Sequence, residues 1–70
     1  MRRPVIVTVN GAPHEVPEGT TVRGLLGRLS VREDAVAVER NRSIVRRRDW
    51  DAVRLAAGDS IEVVTFVGGG

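Results

Sequence analysis

The 70 residues contain no cysteine, no lysine and no tyrosine, and their aromatic content is one Trp and one Phe. Without cysteine there is neither a disulfide framework nor a thiolate metal site. Without lysine the N-terminal amine is the only primary amine, so no side chain offers itself for isopeptide attachment. No apolar run approaches the roughly 18 residues of a membrane span. Arg2 and Arg3 are not followed by an apolar segment, so no secretory signal is expected. These absences together predict a soluble, cytoplasmic protein. Its length predicts one domain that buries only about 60% of its unfolded surface, a marginal core. A lone histidine, His14, reads as a surface or packing residue.

Charge is balanced more closely than the isoelectric point suggests. Eleven basic residues oppose nine acidic ones, a net of +2, while the isoelectric point lies near 11.0. All eleven basic residues are arginine. Almost nothing titrates between neutral pH and the arginine range, so a small excess carries the isoelectric point far up. Six of the arginines fall between Arg40 and Arg54, with Asp49 and Asp51 among them. No aromatic platform or recognition helix accompanies them, which argues against nucleic-acid binding. A solvated face or a docking patch for an acidic partner is expected, with the two aspartates partly cancelling Arg46, Arg47 and Arg48.

Hydrophobic periodicity lays out the elements. Val5–Val9 alternates inward valines and reads as a buried strand. Asn10-Gly11 is the strongest short hairpin signal. A return strand around His14–Val16 is confined to an edge by Pro13 and Pro17. Val22, Leu25, Leu26 and Leu29 then fall on one helical face, with Thr21 as N-cap. Gly24 and Gly27 each cost the helix about 1 kcal/mol, so it depends on docking to a sheet. Ala35–Glu39 is a third strand, Arg40–Ser43 a turn and Ile44-Val45 a short fourth strand. Asp49–Val53 can form one helical turn, with Trp50, Val53 and Leu55 as apolar anchors. Ala57–Asp59 is a tight turn. Ser60–Val67 is the last strand, with Ile61 and Val63 inward and Val64 and Phe66 on the opposite face.

One helix on one face of a small mixed sheet is an α+β layer solution. The first and last strands are the most apolar, which puts them at the sheet centre, parallel, with the rest of the chain as crossover. That is the ubiquitin-like β-grasp arrangement: a domain over residues 1–67, then a flexible glycine tail over 68–70.

Catalytic constellations are absent. Ser30, Ser43 and Ser60 have neither an elbow sequence nor a base in a recognisable pattern. A domain of this size also lacks room for a deep pocket. No catalytic residue, metal site or bound cofactor is assigned, and the chain reads as a non-enzyme. The tail, Gly68, Gly69 and Gly70, carries the chemistry instead. Glycines let a backbone pass through a channel too narrow for side chains. The Gly70 carboxylate at its end is a poor electrophile until activated, for instance by transfer to AMP. A sulfur nucleophile can then displace AMP, and an enclosed partner site keeps water from the adenylate. Val64, Phe66 and Val67 beside the tail, with Ile6 or Val45, would form an apolar docking patch.

The segments VNG (Val9–Gly11), GTTVRGLL (Gly19–Leu26), VAVERN (Val36–Asn41), IVRRRDW (Ile44–Trp50) and GDSIEVVTFVGGG (Gly58–Gly70) resemble the ThiS family, small sulfur carriers of thiamine biosynthesis. The GD turn, apolar strand and Gly-Gly end are the most specific part. The spacing of Arg47 and Trp50 favours ThiS over molybdopterin sulfur carriers. Arg46 stands where the family often has proline. The resemblance implies that a ThiF-type, E1-like enzyme adenylates Gly70 with ATP and magnesium. A sulfur donor such as a cysteine desulfurase then yields the thiocarboxylate, and thiazole synthase takes the sulfur. It implies a free monomer with no nucleic-acid or membrane partner. A carrier for molybdopterin or cysteine synthesis, a protein modifier, and a noncovalent binding module remain alternatives.

Overall fold

A computed structural model of the chain describes residues 3–66. Val67 and the glycine tail of Gly68, Gly69 and Gly70 lie outside the described residues, and so does the boundary set between domain and tail. Five strands and one helix follow in the order β1 (Pro4–Val9), β2 (Ala12–Pro17), α1 (Val22–Leu29), β3 (Val36–Arg40), β4 (Ser43–Val45) and β5 (Ser60–Thr65). The strands form one mixed sheet in the order β2-β1-β5-β3-β4. β1 and β5 run parallel, and the other pairs are antiparallel. The ubiquitin-like α+β expectation therefore holds, with β5 in the middle and β2 at an edge.

Both hairpins turn through the left-handed region. Asn10 and Gly11 have φ of 49° and 84°, Asn41 and Arg42 of 51° and 72°. Two consecutive positive φ values match the right-handed twist of the flanking strands. The turn at Arg40–Ser43 was expected, but an arginine in the left-handed region is uncommon.

The helix is fixed at both ends. Thr21 is extended, and its Oγ1 accepts the Gly24 N–H at 3.1 Å. The N–H groups of Val22 and Arg23 donate to the carbonyls of Val53 and Trp50 at 2.9 and 3.0 Å. The loop after β4 thus caps the helix start. Val22, Leu25 and Leu26 are fully buried against Val7, Val9, Val16, Val36, Val38, Trp50, Leu55 and Ile61, while Leu29 packs at the margin. Trp50 sits at the bottom of this core, and its Nε1–H donates to the Val45 carbonyl at 3.0 Å.

Element limits shift slightly. β3 starts at Val36 because Glu33–Ala35 closes a 3-10 turn. β5 ends at Thr65, although the Phe66 N–H still donates to Ala35 at 2.8 Å. A 3-10 turn at Arg47–Asp49 precedes the expected helical turn, which closes with the Val53 N–H on the Asp49 carbonyl at 3.0 Å.

Candidate functional site

α1 covers one face of the sheet, and the other face is open. β5 lies between β1 and β3 in the sheet. Two side chains hold this strand in place. Asn10 Oδ1 accepts the Val63 N–H at 2.8 Å, and its Nδ2 donates to the Val63 carbonyl at 3.2 Å. The side chain thereby continues the parallel pairing beyond the end of β1. Asp59 anchors the entrance to β5. Its Oδ2 accepts from Arg40 Nε and the Ala56 N–H, each at 2.8 Å, and its Oδ1 from Asn41 Nδ2 at 3.1 Å. Burial alone would raise its pKa. The hydrogen bonds from Ala56, Asn41 and Arg40, together with the Arg40 charge, outweigh that and hold the carboxyl below the ordinary range. Sequence reasoning read Asn10 and Asp59 only as turn residues. The GD spelling before β5 was the available signal for Asp59.

The expected docking patch is partly redrawn. Val64 and Phe66 do lie on the open face, 51% and 61% exposed. Ala37 is the cross-strand neighbour of Val64. Val45 does not join them: it pairs with Val38 on the inner face and packs against the core. Ile44, 74% exposed, is the outward residue of β4. Two apolar residues gave too short a pattern to fix the phase of alternation, and the hairpin register fixes it instead. Ile6 is exposed but distant. The Gly58 N–H donates to its carbonyl, so Ile6 is level with a residue six positions before Val64, roughly 20 Å away at strand rise. Val67 lies outside the described residues, as does the reactive end assigned to Gly70.

The arginines divide into two groups. Arg23 pairs with Glu33 and, at 2.7 Å, with Asp51, while Arg32 pairs with Asp34 and Arg40 with Asp59. Arg23 and Arg47 also lie over the Trp50 ring, 5.6 and 5.8 Å from its centre. Of the two aspartates expected to partly cancel Arg46, Arg47 and Arg48, Asp51 is taken by Arg23, which leaves Asp49. Those three and Arg42 are exposed and make no ion pair among the described residues. His14, half-buried, faces Val7 across the β1–β2 ladder. Among the described residues no helix is long and apolar enough to cross a membrane.

Comparison with known proteins agrees with this geometry. The ThiS family model matches residues 7–70. The crystal structure of a thiamine biosynthesis protein (ThiS) from Geobacter metallireducens superposes with a TM-score of 0.82 at 38% identity, covering 94% of this chain and 100% of that one. The sulfur carrier protein ThiS of Bacillus subtilis is 40% identical over 50 residues, covering 71% of this chain and 76% of the relative. A thiazole synthase of Magnetococcus marinus is 48% identical over 64 residues, which is 91% of this chain but 20% of that protein. The chain thus spans about a fifth of the length of the thiazole synthases it matches. With the mixed sheet, the single helix and a family match that runs through the three glycines, the chain belongs to the ThiS family.

Proposed function

We propose that this protein is the sulfur carrier of thiamine biosynthesis, with Gly70 as its loading point. The observation that carries the proposal is the family match extending over residues 7–70, so that the glycine run is part of what the chain shares. The likeness to a ThiS structure over 94% of the chain supports it. In this reading a ThiF-type enzyme binds ATP and magnesium, and the Gly70 carboxylate attacks the α-phosphate and releases pyrophosphate. Sulfide displaces AMP and leaves the thiocarboxylate directly; where a cysteine desulfurase supplies the sulfur, its persulfide displaces AMP to give an acyl disulfide, and a thiol then reduces the S–S bond to release the thiocarboxylate. The carrier itself supplies no acid or base.

Its own contribution is presentation. Gly68 and Gly69 carry no side chain to obstruct a narrow partner channel. Val64 and Phe66, with Val67, would seat against the partner so that the terminal carbonyl reaches the reacting phosphate. Thiazole synthase is the proposed acceptor, because a segment resembling this chain makes up a fifth of two such enzymes.

The test is intact mass after incubation with ATP, magnesium, the adenylating enzyme and a sulfide source. A product heavier by the difference between sulfur and oxygen, lost when Gly70 is deleted, is expected. Larger adducts on other proteins would point to a modifier, and an unchanged mass would end the carrier reading.

A further inference from the structure

Four of the arginines that make no ion pair among the described residues lie within seven positions, from Arg42 to Arg48. Arg42 sits in the β3–β4 turn, and the other three follow β4. Arg46 has extended backbone, φ −67° and ψ 145°, which carries the alternation of β4 one residue further, onto the face of Ile44. Val45 pairs with Val38 and Ala37 with Val64. A row therefore crosses the open face from Arg46 over Ala37 to Val64. Arg47 is held over the Trp50 ring, as is Arg23 of α1, so it marks the helix side of the same edge. The apolar strip beside the end of β5 is thus bordered on the β4 side by Arg46, with Arg47 and Arg48 next in the chain, whereas the turn that holds Arg42 lies beyond the Arg40–Ile61 pair, towards the start of β5.

Resting on the carrier reading above, we propose that Arg46, Arg47 and Arg48 form a basic rim to the docking face, and that it reads carboxylates on the adenylating enzyme that takes the tail. Two physical arguments select this occupant. Arginines already neutralised inside the fold would contribute little, but Arg46, Arg47 and Arg48 are exposed and outnumber their one neighbouring carboxylate, Asp49. Rim charges mainly speed encounter and select partners, leaving dissociation to the apolar centre. A carrier that must reach one partner for loading and another for delivery needs fast arrival without slow departure. Nucleic acid is the weaker fit: the buried Trp50 leaves Phe66 as the exposed aromatic, too little for stacking bases.

The experiment is stopped-flow association of the labelled full chain with the adenylating enzyme of the same organism, from low to physiological ionic strength. The variants are Arg46→Gln alone, whose side chain contacts no other described residue by ion pair or ring, and Arg46→Gln/Arg47→Gln/Arg48→Gln. Circular dichroism checks that each is folded. The triple variant should associate roughly ten-fold more slowly at low salt with a flattened salt dependence, while its dissociation rate changes less than about two-fold. The single variant should move the same way by a smaller factor. An unchanged association rate and salt slope in both overturns the rim. So does retention of a fluorescent single-stranded oligonucleotide by the wild type but not the triple variant, if protein association is unaffected. Salt-steered binding without adenylation would sink the carrier reading and support the rim. Adenylation with unaltered association would do the reverse, and no association at all would overturn both.

Discussion

Replacing Asp59 by asparagine keeps the shape and removes one charge, and the structure lets the consequence be worked out. Oδ2 accepts two hydrogen bonds, from Arg40 and Ala56, and Oδ1 a third, from Asn41. If the new amide oxygen takes the Oδ2 place, two bonds survive but lose their charge assistance, costing about 1 kcal/mol each. The amide nitrogen then faces the Asn41 nitrogen, donor against donor. Asn41 cannot turn over freely, because its Oδ1 already accepts the Ser60 N–H at 2.9 Å. That lost bond and the contact add about 1–2 kcal/mol. The sum is roughly 3–4 kcal/mol, against a total of roughly 4–10 kcal/mol for a domain of this length. Urea titration followed by the fluorescence of the single, buried Trp50 reads it directly. The pH dependence has a definite sign. The folded carboxyl lies below its ordinary 3.8, so the unfolded chain takes the proton first as pH falls. The stability from the charge is fully present above that ordinary value and is lost as pH drops through the folded one. The gap between wild type and Asp59→Asn should therefore narrow on acidification. A loss under about 1 kcal/mol at neutral pH, or a gap independent of pH, would refute the account of Asp59 as anchor of β5.

Gly27→Ala should stabilise by up to about 1 kcal/mol, because the added methyl meets nothing within 4 Å and the helical backbone suits alanine; Gly58→Ala, at a φ of +85°, should lose a similar amount, and thermal unfolding checks both. Phe66→Ala should leave the melting temperature nearly unchanged, since the ring is 61% exposed, yet slow adenylation by the activating enzyme. Unchanged adenylation kinetics would remove Phe66 from the docking face.

Most of the fold was legible because its signals are local. The valines of β1, the Asn10-Gly11 turn, the Thr21 cap and the stripe from Val22 to Leu29 each depend on residues a few positions apart. The parallel partnership of β1 and β5 followed from apolarity and connection rules. What escaped was long-range. Asn10 reaches Val63 across 53 positions, Arg23 reaches Asp51 across 28, and Asn41 reaches Asp59 across 18. A polar side chain does not declare such a partner in its own neighbourhood. The redrawn patch has the same origin: Ile44 and Val45 were apolar alike, and only the hairpin register separated outward from inward. Val64 and Phe66 are exposed on the open face, as alternation along β5 implies, and positions 67–70 lie outside the described residues.

The central seat of β5 has a mechanical consequence. A partner that grips the residues after Phe66 pulls along the strand's own axis. The ladder bonds to β1 and β3 and the Asn10 clamp lie across that axis, so the load falls on them together, in shear. A strand at the margin of the sheet, tugged sideways, would peel open one bond at a time. On the carrier reading proposed above, β5 would bear an enzyme's pull on the tail without unravelling.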